Sequence, residues 1–152
     1  MPTKNTPRKA IPAEARVQVQ NASRSRRVPA AVRFRTWVRA AAAGPTKVTV
    51  RLVGAAEGRR LNQAYRGKDY ATNVLTFTYG QGVGDIVLCP ALIAKEAAEQ
   101  GKPLERHYAH LTVHAILHLR GYDHEDAAGA ARMERAEIRI LKAFGHPNPY
   151  LA

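Results

Sequence analysis

Five of the six histidines in this 152-residue chain, His107, His110, His114, His118 and His124, fall within 18 consecutive positions, and their spacing constrains the fold more than any other feature. On an α-helix, residues three or four positions apart share a face. His107, His110, His114 and His118 therefore form one stripe beside the apolar stripe Leu104, Tyr108, Leu111, Ala115 and Leu119. The pattern predicts a helix over Leu104–Arg120 that stops at Gly121, since glycine takes the left-handed conformation that ends a helix and turns the chain back. That reversal brings His124 toward His114 and His118, and imidazoles one turn apart can bind one ion at about 2.0–2.1 Å each.

The frame His114-x3-His118-x2-Gly121-x2-His124 has the spacing of the metzincin zinc motif, with one difference: Ala115 stands where a metallopeptidase carries its general-base glutamate. Three neutral imidazoles on one Zn²⁺ leave a fourth position open for water, whose pKa the ion lowers toward about 7. Metal-assisted hydrolysis is the expected chemistry, with His114, His118 and His124 as ligands. The all-imidazole set favours zinc over other transition ions. Taken singly, His107, His110 and His146 remain open between surface, ligand-supporting and functional roles.

The remaining chain reads as alternating strands and helices. ARVQVQ (Ala15–Gln20) and KVTVRLV (Lys47–Val53) alternate with period two, and Thr72–Tyr79 is a third strand. Phe34, Trp37, Val38 and Ala41 mark an amphipathic helix from Pro29 to Gly44, with Arg35 and Arg39 on its far face. Glu57–Tyr65, Pro90–Gln100 and Asp126–Phe144 are further helices. The run Gly80-Gln81-Gly82-Val83-Gly84-Asp85 is expected as a hairpin turn, because strand residues Ile86, Val87 and Leu88 follow where a dinucleotide fingerprint needs a helix. This order predicts an α+β single domain over residues 13–152, a four-stranded mixed sheet packed with about five helices. Residues 1–12, with three prolines, read as a disordered basic extension.

Charge adds a partner. The formal net charge is +12, yet residues 1–43 hold ten basic residues and only one acid, Glu14. Such asymmetry suits a polyanion, nucleic acid first and an anionic membrane surface second, because Lys and Arg displace counterions from phosphates. A basic tail that only aids solubility is the competing reading. A single Cys, Cys89, excludes an intrachain disulfide and suits a reducing compartment. No apolar run approaches the roughly 20 residues of a membrane span, so a cytoplasmic location without membrane contact is expected.

Three segments carry a resemblance to a known family. VHAILHLRGYDH (Val113–His124) resembles the signature H-[GA]-x-L-H-L-x-G-Y-D-H of the YbeY endoribonucleases. LNQAYRGKDYATNVLTF (Leu61–Phe77) and GDIVLC (Gly84–Cys89) are similar to two further segments of that family, in the same order. The resemblance implies a zinc-dependent endoribonuclease specific for single strands, with one Zn²⁺ per chain. It further implies ribosomal RNA processing, notably small-subunit RNA 3′-end maturation, and ribosome quality control, with the small subunit and assembly factors as partners. It matches His114, His118 and His124 to the family's zinc ligands and Arg66 to its functionally important arginine. Thr76 and Thr78 depart from the family's pattern, which bears on the substrate groove rather than on the metal frame.

Read from the residues alone, Arg66 and Lys68 supply fixed charge that can hold a phosphate or serve only as a solvated turn. Tyr65 and Tyr70 can stack on an unpaired base or pack in the core. Asp85 and Asp123 are candidates to orient a ligand imidazole or to move a proton. Arg24, Arg26, Arg27, Arg35 and Arg39 are candidate RNA contacts. Cys89 is expected to be buried rather than to serve as a fourth ligand. Two other functions compete: a metallopeptidase, disfavoured by Ala115, and a non-catalytic ribosome-assembly factor with structural zinc.

Overall fold

Alternation in Thr46–Leu52 decides which way the sheet faces: Val48, Val50 and Leu52 are buried on one side, while Thr49 and Arg51 turn to the other. The computed structural model describes residues 15–151, so the extension expected over 1–12, and positions 13, 14 and 152 of the expected domain, lie outside the described residues. In chain order the elements are β1 (Ala15–Asn21), α1 (Ala31–Ala41), β2 (Thr46–Leu52), α2 (Ala55–Arg66), β3 (Val74–Gly80), β4 (Val83–Leu88), α3 (Pro90–Glu99), α4 (Leu104–Leu119) and α5 (Ala127–Lys142). They form a single domain with a four-stranded mixed sheet in the order β1-β2-β4-β3. β1 and β4 each run parallel to β2, and β3 pairs with β4 antiparallel as the expected hairpin.

The two sheet faces are unlike. Val48, Val50, Leu52, Ile86 and Leu88 pack with Phe34, Trp37 and Val38 of α1 and with α4, which in turn packs against α3, α5 and β3. Phe34 sets its ring edge-on to Trp37 at 5.5 Å and to Tyr108 at 6.0 Å, and each such aromatic contributes about 1.5–3 kcal/mol through burial. The opposite face carries a smaller cluster, Val53, Leu75 and Val87 under Leu61 and Phe77. α4 is buried nearly all round, including His107 and Thr112, as a central helix must be. Among the described residues no helix is long and apolar enough to cross a membrane.

Two of the boundaries that differ from expectation have identifiable reasons. α2 is longer than Glu57–Tyr65, opening after Gly54 and closing at Gly67, whose φ of 70° lets its N–H bond back to the helix. β3 starts at Val74 rather than Thr72, because the Asn73 amide is bonded to Glu96 at 3.0 Å and its carbonyl accepts from Cys89 N–H at 3.0 Å. Gly84 fixes the far end of α4. A Cβ there would lie 2.2 Å from the Phe77 carbonyl oxygen and 2.6 Å from Leu119 Cδ2, so only glycine allows the hairpin and the last turn of α4 to close together. Gly82 N–H also donates to Leu119 O at 3.0 Å.

Candidate active site

α4 ends as the histidine pattern predicts. Gly121 has φ 102°, and the N–H groups of Gly121 and Tyr122 return to the carbonyls of His118 and Leu117, both at 3.1 Å. The chain reverses and His124 comes back beside the helix, its ring centroid 5.5 Å from that of His114 and 6.2 Å from that of His118. Imidazoles sharing one tetrahedral ion stand roughly 5 Å apart between centroids. The three rings are set slightly wider than a closed ligand set, and no three His, Cys, Asp or Glu side chains among the described residues are drawn into one as placed. His118 and His124 are exposed. Partial desolvation of the ring, with the neighbouring imidazoles of His114 and His124, holds His118 below the usual histidine range, which favours the neutral form.

The decisive residue is one the sequence reading did not single out. Glu137 on α5 is 0 % exposed, and its carboxylate accepts from His114 Nδ1 at 2.6 Å, from His110 Nε2 at 3.0 Å and from the Tyr150 hydroxyl. Burial alone would raise this carboxyl; the bonds from His110, His114 and Tyr150 outweigh it and hold the group at about 2. An ionised carboxylate is acceptor-only, so the nitrogens facing it carry the protons. His114 is thereby held as the Nδ1–H tautomer with its Nε2 lone pair free for a metal ion, the carboxylate–imidazole support typical of metal-bound histidines. The donor set fits zinc on these grounds. A signal existed: Glu137 interrupts the apolar stripe Met133, Ala136, Ile140, Leu141 and Phe144 of α5, and a lone carboxylate on a buried face requires partners. Another pairing is separate: His107 Nε2 meets Glu96 Oε1 at 2.7 Å, which makes His107 a link between α4 and α3.

The other predicted residues are spread over three places. Arg66 and Lys68 flank the end of α2, exposed and without side-chain hydrogen bonds to the described residues. Their segment is braced from below, since the buried Asn62 amide donates to Tyr70 O at 2.7 Å and Arg59 clasps Asp69 at 2.7 and 3.0 Å. Tyr65 and Tyr70 are exposed, and Tyr65 sets its ring edge-on to Phe77 at 5.0 Å. Asp85 lies on the α2 side of the sheet, not with the imidazoles. It accepts from the Tyr79 hydroxyl at 2.8 Å in a cavity of about 490 Å³ that Arg51 and Tyr65 also line. Asp123 stays near the frame: its charge acts on His118, and its Oδ1 accepts from Glu125 N–H.

Arg24, Arg26 and Arg27 are exposed in the loop before α1, with Arg24 at φ 67°. Arg27 neighbours Leu104 and Glu105, at the end of α4 opposite His118. Arg39 is exposed and Arg35 half-buried on α1. Ala115 lies wholly in the core at 0 % exposure, so nothing occupies the peptidase base position. Cys89 is a buried free thiol.

Comparison with known proteins adds to this geometry. A family profile described as Endoribonuclease YbeY matches residues 14–145. A protein of Aromatoleum aromaticum named endoribonuclease YbeY is 53% identical over 146 residues, 94% of this chain and 93% of its own length. A protein of the same name from Thiobacillus denitrificans is 52% identical over 142 residues, 90% and 97% of the respective chains. The solution structure of a Thermotoga maritima protein shares the fold at a TM-score of 0.58 and 24% identity, over 90% of this chain and 99% of that one. The match spans the helix, the reversal at Gly121 and the carboxylate-bearing α5 together, and on that extent the chain belongs to the endoribonuclease YbeY family.

Proposed function

We propose that the chain is a zinc-dependent endoribonuclease that cuts single-stranded RNA in ribosomal RNA processing, including small-subunit 3′-end maturation and ribosome quality control. One Zn²⁺ per chain, a cytoplasmic location, and the small subunit with its assembly factors as partners belong to the same reading. The observation that carries it is the His114–Glu137 bond at 2.6 Å, which presets an imidazole for a cation in a chain of this family. His114, His118 and His124 would hold the ion. A zinc ion held there would supply a Lewis acid and would lower the pKa of water bound to it.

The chain's own residues do the rest. Glu137 keeps the His114 proton on Nδ1. Arg66 and Lys68 hold the phosphodiester and oppose charge that develops on its oxygens, and Tyr65 offers an unpaired base a ring. Of the two carboxylates, this reading gives proton transfer to Asp123, whose charge acts on His118, rather than to Asp85, which is bonded to Tyr79.

The test is zinc content and cleavage of a single-stranded RNA on one preparation, before and after chelation, and with His114→Ala and Arg66→Ala. Loss of cleavage on chelation and in both variants is expected. Full activity in the metal-free chain overturns the mechanism. Cleavage of unstructured peptides but not RNA returns the metallopeptidase, and unchanged RNA processing after loss of a ligand returns the assembly factor with structural zinc.

A further inference from the structure

A second recess lies beside the N-terminal half of α4, one helical turn and more from the zinc frame. Its volume is about 600 Å³, and Lys102, Arg106, His110, His146, Asn148 and Tyr150 line it. Its two cations are unpaired: neither Lys102 nor Arg106 forms a side-chain hydrogen bond or ion pair with the described residues. The nearby carboxylates already have partners or lie exposed. Glu96 is bonded to His107 and Asn73, Glu137 is enclosed by its three donors, and Glu134 is exposed on α5. Burial holds the Lys102 ammonium below the usual lysine range despite the charge of Glu96, as expected of a cation short of a counter-charge. Burial and the guanidiniums of Arg106 and Arg33 likewise depress His146.

The recess joins two features already described. Arg27 stands by Leu104 and Glu105 at the same end of α4, so the basic loop before α1 leads to it. On the other side, His110 packs 6.3 Å from His114 between ring centroids and 5.3 Å from Tyr150. From Arg106 to His114 the helix rises about 12 Å at 1.5 Å per residue, a distance that a few nucleotides of one RNA strand span.

We infer that this recess is a phosphate-binding subsite for the RNA strand, holding the backbone a few nucleotides from the bond that is cut, with Lys102 and Arg106 as its cations. The inference rests on the endoribonuclease reading above. The exposed ring of Tyr150 gives a base of the same strand a surface to stack on.

The test uses the full zinc-loaded chain and a fluorescein-labelled 12-nucleotide single-stranded RNA, with binding read by anisotropy between 50 and 200 mM KCl and the RNA checked for intactness on a gel. Lys102→Ala with Arg106→Ala is expected to weaken binding on the order of tenfold and to reduce the slope of log K against log salt by about 1.4, at about 0.7 per lost phosphate contact on a single strand. In steady-state cleavage of the same RNA the pair raises KM more than it lowers kcat. Arg132→Ala with Arg135→Ala, removing two exposed charges of α5, is the control; an equal loss there makes the effect one of net charge and overturns the subsite. Unchanged affinity and slope overturn it also, as does a recess that takes inorganic phosphate while RNA affinity is indifferent to the pair. A parent chain that binds the RNA but never cuts it, with the pair still weakening binding, sinks the nuclease reading and leaves the subsite standing.

Discussion

Replacing Glu137 by Gln removes one charge from the core without changing its volume, and the structure says what that should do. The carboxylate accepts three hydrogen bonds, from His114 at 2.6 Å, His110 at 3.0 Å and Tyr150. A glutamine offers one oxygen and turns its NH₂ toward another donor, so at least one of the three loses its acceptor. Supporting carboxylates of this kind are worth about 10–100-fold in metal affinity, or about 1.4–2.7 kcal/mol. Competition for zinc against a chromophoric chelator at pH 7.5 reads that loss directly.

Acid unfolding of the metal-free chain reads a second consequence. Glu137 falls from an ordinary 4.5 to about 2 in the fold, which corresponds to about 3 kcal/mol. Because the folded value is the lower one, this stabilisation is fully present above pH 4.5 and is lost as the pH falls toward 2. Urea midpoints measured across that window should fall steeply for the parent and much less for Glu137→Gln. A Gln variant that keeps the parent's far-ultraviolet dichroism, binds zinc within twofold of the parent and retains the full acid slope would refute the assignment of His114 orientation to Glu137.

Other expectations are as direct. Gly84→Ala drives a methyl into the Phe77 carbonyl and Leu119; it should cost about 3 kcal/mol in urea unfolding, the upper range for overpacking, since backbone rather than a flexible side chain blocks the way. Asp126→Ala removes the cap whose Oδ1 accepts from Gly129 N–H at 2.7 Å and should cost about 1 kcal/mol, with the same urea titration as the check. Neutralising Arg24, Arg26 and Arg27, or deleting residues 1–11, should weaken RNA binding and flatten its salt dependence more than it slows single-turnover cleavage. An unchanged salt slope would return that charge to a role in solubility.

Much of the scaffold was legible because its causes are local. The histidine stripe, its end at Gly121 and the return of His124 follow from helix periodicity and one left-handed glycine. The hairpin at Gly82 likewise follows from strand residues on both sides of a glycine-rich turn. The late start of β3 was not legible, because Asn73 is claimed by Glu96, a residue 23 positions away on α3.

By itself the sequence determined which side chains stand within a turn of one another: His114 beside His118, and Pro90 opening α3. Those relations depend only on backbone geometry over a few residues. Tertiary structure alone decided that Glu137, 23 positions from His114, supplies the proton acceptor for Nδ1, that Tyr150 closes over it, and that Asp85 faces the opposite side of the sheet with Tyr79. A buried carboxylate on an apolar helix face announces that it needs partners; which partners it finds is set by how two helices pack, and packing depends on contacts among residues far apart in the chain.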